Sequence, residues 1–218
     1  MILQAIQNSN QFYLNNLFNI LKVCFLPLFL LALLIPLISL TTNIAFQGLI
    51  ILMQLHLSAV LMLVTADLKN SDLKDTFNYM IKPFFYLGPL IAVALVVGLL
   101  ALFGFSLFII PGIFLLGKFV YAQYYLLIRN KTVTESLELS WKLSNEKSWR
   151  NGFIIIFAAL GVVSLTVTFL TPIVGLITSN ESLSLFIIQI LGFFFTIYLN
   201  VLIYTLFLMD ENHETKEN

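Results

Sequence analysis

The chain has 218 residues, 60% of them hydrophobic and only 10% charged, with eleven Lys+Arg against eleven Asp+Glu. Soluble domains run at about 45–50% apolar and about 25% charged, so this composition excludes an ordinary water-soluble domain and points to the bilayer as solvent. Zero net charge also leaves no basic footprint for nucleic acid, and no nucleic-acid partner is expected.

In chain order, Ile2 and Ile6 among Gln4, Gln7, Asn8, Asn10 and Gln11 read as a short amphipathic surface helix. The first positive side chain is Lys22, so the basic start of a cleaved leader is missing and the first apolar segment is expected to stay as a helix. Six apolar runs follow, each near the roughly 20 residues that a spanning helix needs: 17 to 40, 44 to 66, 83 to 104, 107 to 128, 152 to 172 and 184 to 208. Cys24, in the first run, has no second thiol to pair with and reads as a small hydrophobe. The second run holds no charge from Ile44 to Thr65, and its strongly polar side chains are Gln47, Gln54 and His56.

Between the second and third runs, Asp67, Asp72 and Asp75 are interleaved with Lys69 and Lys74, which reads as a solvated link rather than a metal site. Asn70 or Ser71 can cap a short helix there, with Leu73, Phe77, Met80 and Ile81 on one face. The fourth run opens on Pro111 and Gly112. Proline at a first helical turn loses no needed hydrogen bond, so either a helix begins at Pro111, or Pro111 kinks a longer one and Gly112 gives a close packing point.

Thr132 followed by Glu135 forms the pattern of a capping box, which predicts a helix start. At 100° per residue, Val133, Leu137, Trp141 and Ser136, Ser140 and Ser144 fall on one broad side, with Glu135, Glu138 and Lys142 on the other, so the helix is expected to lie along the membrane surface. The serines recur every fourth residue, a small-residue ridge that lets a spanning helix approach. Leu137 and Trp141 are candidate docking residues for a partner; a merely solvated surface helix is the alternative.

Lys69, Lys74 and Lys82 fall in one link and Arg129, Lys131, Lys142, Lys147 and Arg150 in another, while the remaining links carry no Lys or Arg. Basic residues favour the cytoplasmic side, so both termini are expected inside. A surface helix, an outgoing span and a returning span thus recur three times, about 66 to 69 residues apart, which suggests a threefold pseudo-repeat. The fold class read from these signals is all-α: a polytopic membrane protein of about six transmembrane helices, a single integral membrane domain over residues 1–218, with amphipathic helices on the cytoplasmic surface.

Ile109 to Ile113 with its Pro-Gly pair, then Phe119, Tyr121 and Leu127, then Thr134 to Arg150, together with Gln11, Phe12, Asn15 to Leu21 and Leu191 to Met209, make an order that resembles the YciC family of bacterial inner-membrane proteins. The resemblance implies a multi-pass protein of the inner membrane and no assigned reaction. A similar pattern occurs in the membrane domain attached to some glycerophosphodiester phosphodiesterases, but no catalytic barrel is present and no hydrolase activity is carried over.

No catalytic constellation is visible. Two histidines, His56 and His213, are too few for a multi-histidine metal site, and neither a G-x-x-x-x-G-K nor a G-x-S-x-G sequence occurs. No enzyme activity, cofactor or metal is expected. Lys118 lies eleven residues before Arg129, and His56 eleven before Asp67, which is about 16 Å at 1.5 Å per residue and near the middle of a spanning helix. Asn200, ten residues before Asp210, falls at similar depth. An intramembrane lysine is a functional candidate by default. Gln54, His56, Lys118, Tyr121, Tyr125 and Asn200 are therefore candidates for one polar cluster around a cavity or an anionic group. Alternatively Lys118 snorkels to the surface and His56 and Asn200 only join helices. Two functions follow: a non-enzymatic envelope protein that binds membrane lipid or other membrane proteins, or a small transporter or channel built around Lys118.

Overall fold

A computed structural model describes residues 2–34, 44–71, 74–145, 147–165, 170–178 and 180–217. Among these residues the secondary structure is helical, in nine elements: α1 (Ile2–Leu34), α2 (Ile44–Lys69), α3 (Thr76–Leu107), α4 (Ile109–Phe119), α5 (Ala122–Leu127), α6 (Val133–Leu143), α7 (Ser148–Leu165), α8 (Thr171–Ile177) and α9 (Glu181–Glu217). Five stretches among them are long and apolar enough to cross a membrane: Leu3–Leu31, Phe46–Lys69, Thr76–Leu107, Ile109–Leu127 and Phe186–His213. A helix is the natural form for such sequence, because it satisfies every backbone polar group within its own segment. The expected fifth span, 152 to 172, includes residues 166–169, which lie outside the described residues, as do the ends of the first expected span, 35–40.

Two of the three expected surface helices are continuous with a span. No Gly or Pro interrupts the sequence from Ile2 to Leu26, and α1 runs unbroken from Ile2. Likewise α3 begins at Thr76 and carries Pro83 and Pro89 inside it, after a turn in which Ser71 takes a left-handed backbone (φ 57°). The proposed cap residues Asn70 and Ser71 belong to the end of α2 and the turn after it, and Leu73 lies outside the described residues.

α1 and α9 are antiparallel neighbours along most of their length. Ala5 packs with Leu202 and Leu206, Tyr13 meets Tyr198 edge-on at 5.7 Å, and Phe29 meets Phe186 at 6.5 Å. The core between these helices, α2 and α5 is built from Ile20, Cys24, Val60, Leu61, Tyr124, Ile197 and Phe207. Outside it, Phe18, Phe85, Leu102 and Phe108 stand exposed, an apolar exterior suited to hydrocarbon.

α4 starts immediately after Phe108, whose extended backbone (φ −163°, ψ 159°) separates it from α3. Pro111 therefore sits in a first turn, and the alternative of a kinked longer helix does not occur. Gly112 still provides the close approach: a methyl group on Gly104 would lie 2.8 Å from Gly112 Cα. A similar contact joins α4 to α7, where a Cβ on Gly152 would run into the Ile113 carbonyl. The fourth span is interrupted at Val120 and Tyr121, between α4 and α5.

α6 is placed by the turn that precedes it. Asn130 adopts a left-handed backbone (φ 50°), a conformation asparagine tolerates better than most side chains, and the turn is closed by Lys131 N–H donating to the Tyr125 carbonyl (3.2 Å). The Tyr86 hydroxyl also donates to Asn130 Oδ1 (2.7 Å). The Thr132 capping box is formed: Thr132 N–H donates to Glu135 Oε2 at 2.9 Å and Glu135 N–H to Thr132 Oγ1 at 3.4 Å. From there α6 folds back beside α5 until Ser140 Oγ donates to the Lys118 carbonyl (2.8 Å) and accepts from Tyr121 N–H (3.2 Å). Those two groups stand where the α4–α5 break interrupts the backbone ladder. A hydroxyl at position 140 mends the break, so α6 packs on the bundle through its serine face. Ser136, Ser140 and Ser144 are all buried, whereas Glu138 and Lys142 pair on the open side at 2.6 Å.

Two outcomes follow. Gly152→Ala should lower stability by about 1–3 kcal/mol in thermal unfolding of the detergent-solubilised protein, because the added methyl meets backbone rather than a yielding side chain. Gly48→Ala, with nothing within 4 Å of its Cβ, should be silent. Hydrogen bonds from the Thr132 backbone and hydroxyl hold the Glu135 carboxyl below its ordinary value of 4.5. The stabilisation is then complete above that value and lost as pH falls through the depressed one; in Thr132→Ala, which removes the hydroxyl and keeps the backbone donor, an NMR titration should find the Glu135 pKa higher than in wild type but still below its ordinary value.

Candidate functional site

The chemistry-bearing side chains gather around the second half of α9. No Gly or Pro follows Gly192, so the helix continues past Met209 and carries Asp210 and Glu211 on the bundle instead of in a tail. Asp210 is fully buried. Its Oδ2 accepts from the Tyr121 hydroxyl at 2.7 Å and from Arg150 Nη2, and Lys147 Nζ lies 3.3 Å from Oδ1. Arg150 also donates to Asn151 Oδ1 through Nε (3.1 Å) and Nη2 (2.9 Å), which fixes the plane of the guanidinium. One residue further along α9, Glu211 takes a two-pronged contact from Arg129 through Nε (3.2 Å) and Nη2. Lys69 donates to Thr205 Oγ1 at 3.1 Å, and the Thr205 hydroxyl donates to the Val201 carbonyl at 2.8 Å.

Aromatic rings fill the space behind these charges. Phe207 touches Tyr121, Tyr124 and Tyr125 with ring centres 5.1–5.7 Å away, and Tyr124 stacks on Tyr204 at 5.7 Å. The Tyr124 hydroxyl reaches the Asn200 carbonyl at 3.3 Å.

Lys118 is buried, and its ammonium ends at the C-terminus of α6. It donates to Asn145 Oδ1 (2.7 Å) and to the Trp141 carbonyl (3.5 Å), and lies 4.6 Å from the centre of the Trp141 ring. The last carbonyls of a helix lack intrahelical partners and form the negative end of its dipole, so a cation is well placed there. The Trp141 face adds a cation–π contact.

The six residues expected to form one polar cluster have their bonds in four places. Lys118 turns to α6, Tyr121 to Asp210, and Asn200 to Tyr124; His56 Nε2 donates to the Met80 carbonyl at 2.9 Å with its ring 4.4 Å from Phe84. A carbonyl can only accept, so Nε2 carries the proton. Gln54 is exposed, and Tyr125 shares Phe207 with Tyr121. Of the docking pair, Leu137 packs partly against the core, and Trp141 is 42% exposed while it covers Lys118. Asp210, Arg150, Lys147 and Glu211 are the residues that span-by-span reading passed over; the missing helix breaker after Gly192 was the available signal. Among the described residues, no group of three or more His, Cys, Asp or Glu is arranged to hold a metal ion.

No family model, curated protein or solved structure matches the chain.

Arg150→Met should destabilise the protein by about 3 kcal/mol, because it removes one cation from a buried carboxylate. Lys142→Met, which breaks only the exposed pair with Glu138, should shift thermal unfolding far less.

Proposed function

We propose a non-enzymatic, multi-pass protein of the bacterial inner membrane, with six spans and both termini cytoplasmic, that binds membrane lipid or membrane-protein partners. Kinship with the YciC family and the threefold repeat of surface helix and paired spans belong to the same reading, carried by the motifs around Pro111 and the spacing of the apolar runs. The orientation rests on the gathering of Lys69, Arg129, Lys147 and Arg150 around residues 205–211 of α9, since basic groups favour the cytoplasmic side.

The observation that carries lipid binding is an apolar groove of about 650 Å³ between α2 and α3, lined by Gly48, Leu49, Ile51, Leu52, Ile91 and Leu95. Small-molecule clefts commonly measure roughly 300–1,000 Å³, and a purely hydrocarbon lining suits an acyl chain. Gly48 keeps the groove open, because it alone in this wall has no side chain. Transport around Lys118 is the weaker reading: the ammonium on which it depends is already engaged by Asn145 and Trp141.

Native mass spectrometry on the protein released from nanodiscs should find retained phospholipid in wild type and less in Gly48→Leu, with an unchanged melting temperature. Retention equal to the bulk lipid composition in both proteins would remove lipid binding. A solute flux in proteoliposomes that disappears in Lys118→Leu would favour the transporter instead.

A further inference from the structure

α1 carries a polar seam along its outer face. Gln4, Asn8, Gln11, Asn15, Phe18 and Lys22 follow one another at steps of four and three residues, and all six are exposed. That alternation keeps side chains in one line down a helix, as at the contact face of a two-stranded coiled coil. We propose that this seam is the contact between two copies of the chain, which pair in the membrane through the amides of Gln4, Asn8, Gln11 and Asn15. The inference rests on the membrane reading above and names a second copy as one of its protein partners.

The depth of these amides is what demands a partner. α1 and α9 run antiparallel in contact from Ala5, which packs on Leu202 and Leu206, to Phe29, which meets Phe186 at 6.5 Å. Between those points Tyr13 meets Tyr198, and its hydroxyl donates to the Phe194 carbonyl at 3.4 Å. Asn8, Gln11 and Asn15 therefore stand beside the middle of the apolar stretch Phe186–His213, and α9 carries no charge from Leu183 to Met209. Where that part of α9 is immersed in hydrocarbon, so is this part of α1. Lipid tails offer an amide neither donor nor acceptor, so an outward-facing amide is costly there until another polar group meets it. Among the described residues none of the four amides makes a side-chain hydrogen bond. Asn16, half-buried, closes instead on its own helix, with Nδ2 donating to the Phe12 carbonyl at 3.0 Å.

The chemistry selects a second copy. A carboxamide has both donors and an acceptor, so Asn and Gln are complementary to their own kind. Two copies inserted with the same orientation bring their α1 helices together in parallel, and a two-fold axis along the membrane normal sets each amide opposite its counterpart. Asparagine at a contact position of a parallel helix pair also fixes its register. Lys22 marks the far limit of the contact, because two ammonium groups facing each other across the axis would repel. A phospholipid satisfies only the headgroup end of a seam that runs from Gln4 to Asn15, about 16 Å at 1.5 Å per residue.

The test uses the full-length protein in phosphatidylcholine proteoliposomes. Energy transfer between donor- and acceptor-labelled copies should report a dimer that dissociates on dilution with lipid. Asn8→Leu combined with Asn15→Leu should weaken it about tenfold, the effect of two interhelical amide bonds. Asn8→Gln combined with Asn15→Gln should keep most of it. Oxidative crosslinking in a Cys24→Ala background gives a gain of signal: Asn15→Cys should form a disulfide-linked dimer, and Leu102→Cys, on an exposed apolar part of α3, should not. A monomeric wild type, or equal crosslinking at both positions, overturns the pairing and leaves phospholipid retention in the groove, read by Gly48→Leu, untouched. Undiminished association in the double leucine variant puts the contact elsewhere and overturns the amide seam. Rapid modification of the Asn15→Cys thiol by a water-soluble maleimide would place the seam in water and overturn it as well.

Discussion

A carboxylate without access to solvent is costly unless cations and hydrogen-bond donors converge on it, and Asp210 meets that condition with three partners from two other regions of the chain. Tyr121 comes from the α4–α5 break, and Lys147 and Arg150 come from the start of α7. Each approaches within contact distance only if α9, α7 and the broken fourth span hold one mutual arrangement. Hydrocarbon packing alone would not specify it, because one lipid-facing leucine is as good as another and the apolar surfaces of helices slide past each other cheaply. The charge pairs fix register; the rings of Tyr124, Tyr125, Tyr204 and Phe207 fill the space that the register leaves.

The helical, membrane-spanning character of the chain was legible from composition and from runs such as 44–66, because those properties depend on averages over about twenty residues. The capping box at Thr132 and the first-turn place of Pro111 were legible too, since each is decided by neighbours a few residues away. What could not be read is which face of one helix meets which face of another. Lys118 looked like a lone charge in a span because its partner, the end of α6, is 23–27 residues distant and comes near only after Asn130 reverses the chain. Asp210 lies where hydropathy falls, and the helix nevertheless continues because no Gly or Pro follows to break it.

α6 shows how a small polar ridge can serve an apolar bundle. Its serines let it approach closely, and one of them supplies both a donor and an acceptor to backbone groups at Lys118 and Tyr121. The interruption of the fourth span is thereby rendered harmless, and the same helix ends where the Lys118 ammonium needs carbonyl oxygens. Trp141 closes that arrangement over the ammonium, with part of its ring still open to the surroundings.

The antiparallel pairing of α1 with α9 has a bearing on biogenesis. α1 is synthesised well before α9, so Ala5 meets its neighbours Leu202 and Leu206 only late, whereas Ile20 and Cys24 have Val60 and Leu61 of α2 to pack with earlier. Arg150 and Lys147 likewise emerge before their counter-charge does. The junction of Tyr121, Lys147 and Arg150 can therefore lock only once translation has passed residue 210, which makes the register of these helices a late event in assembly.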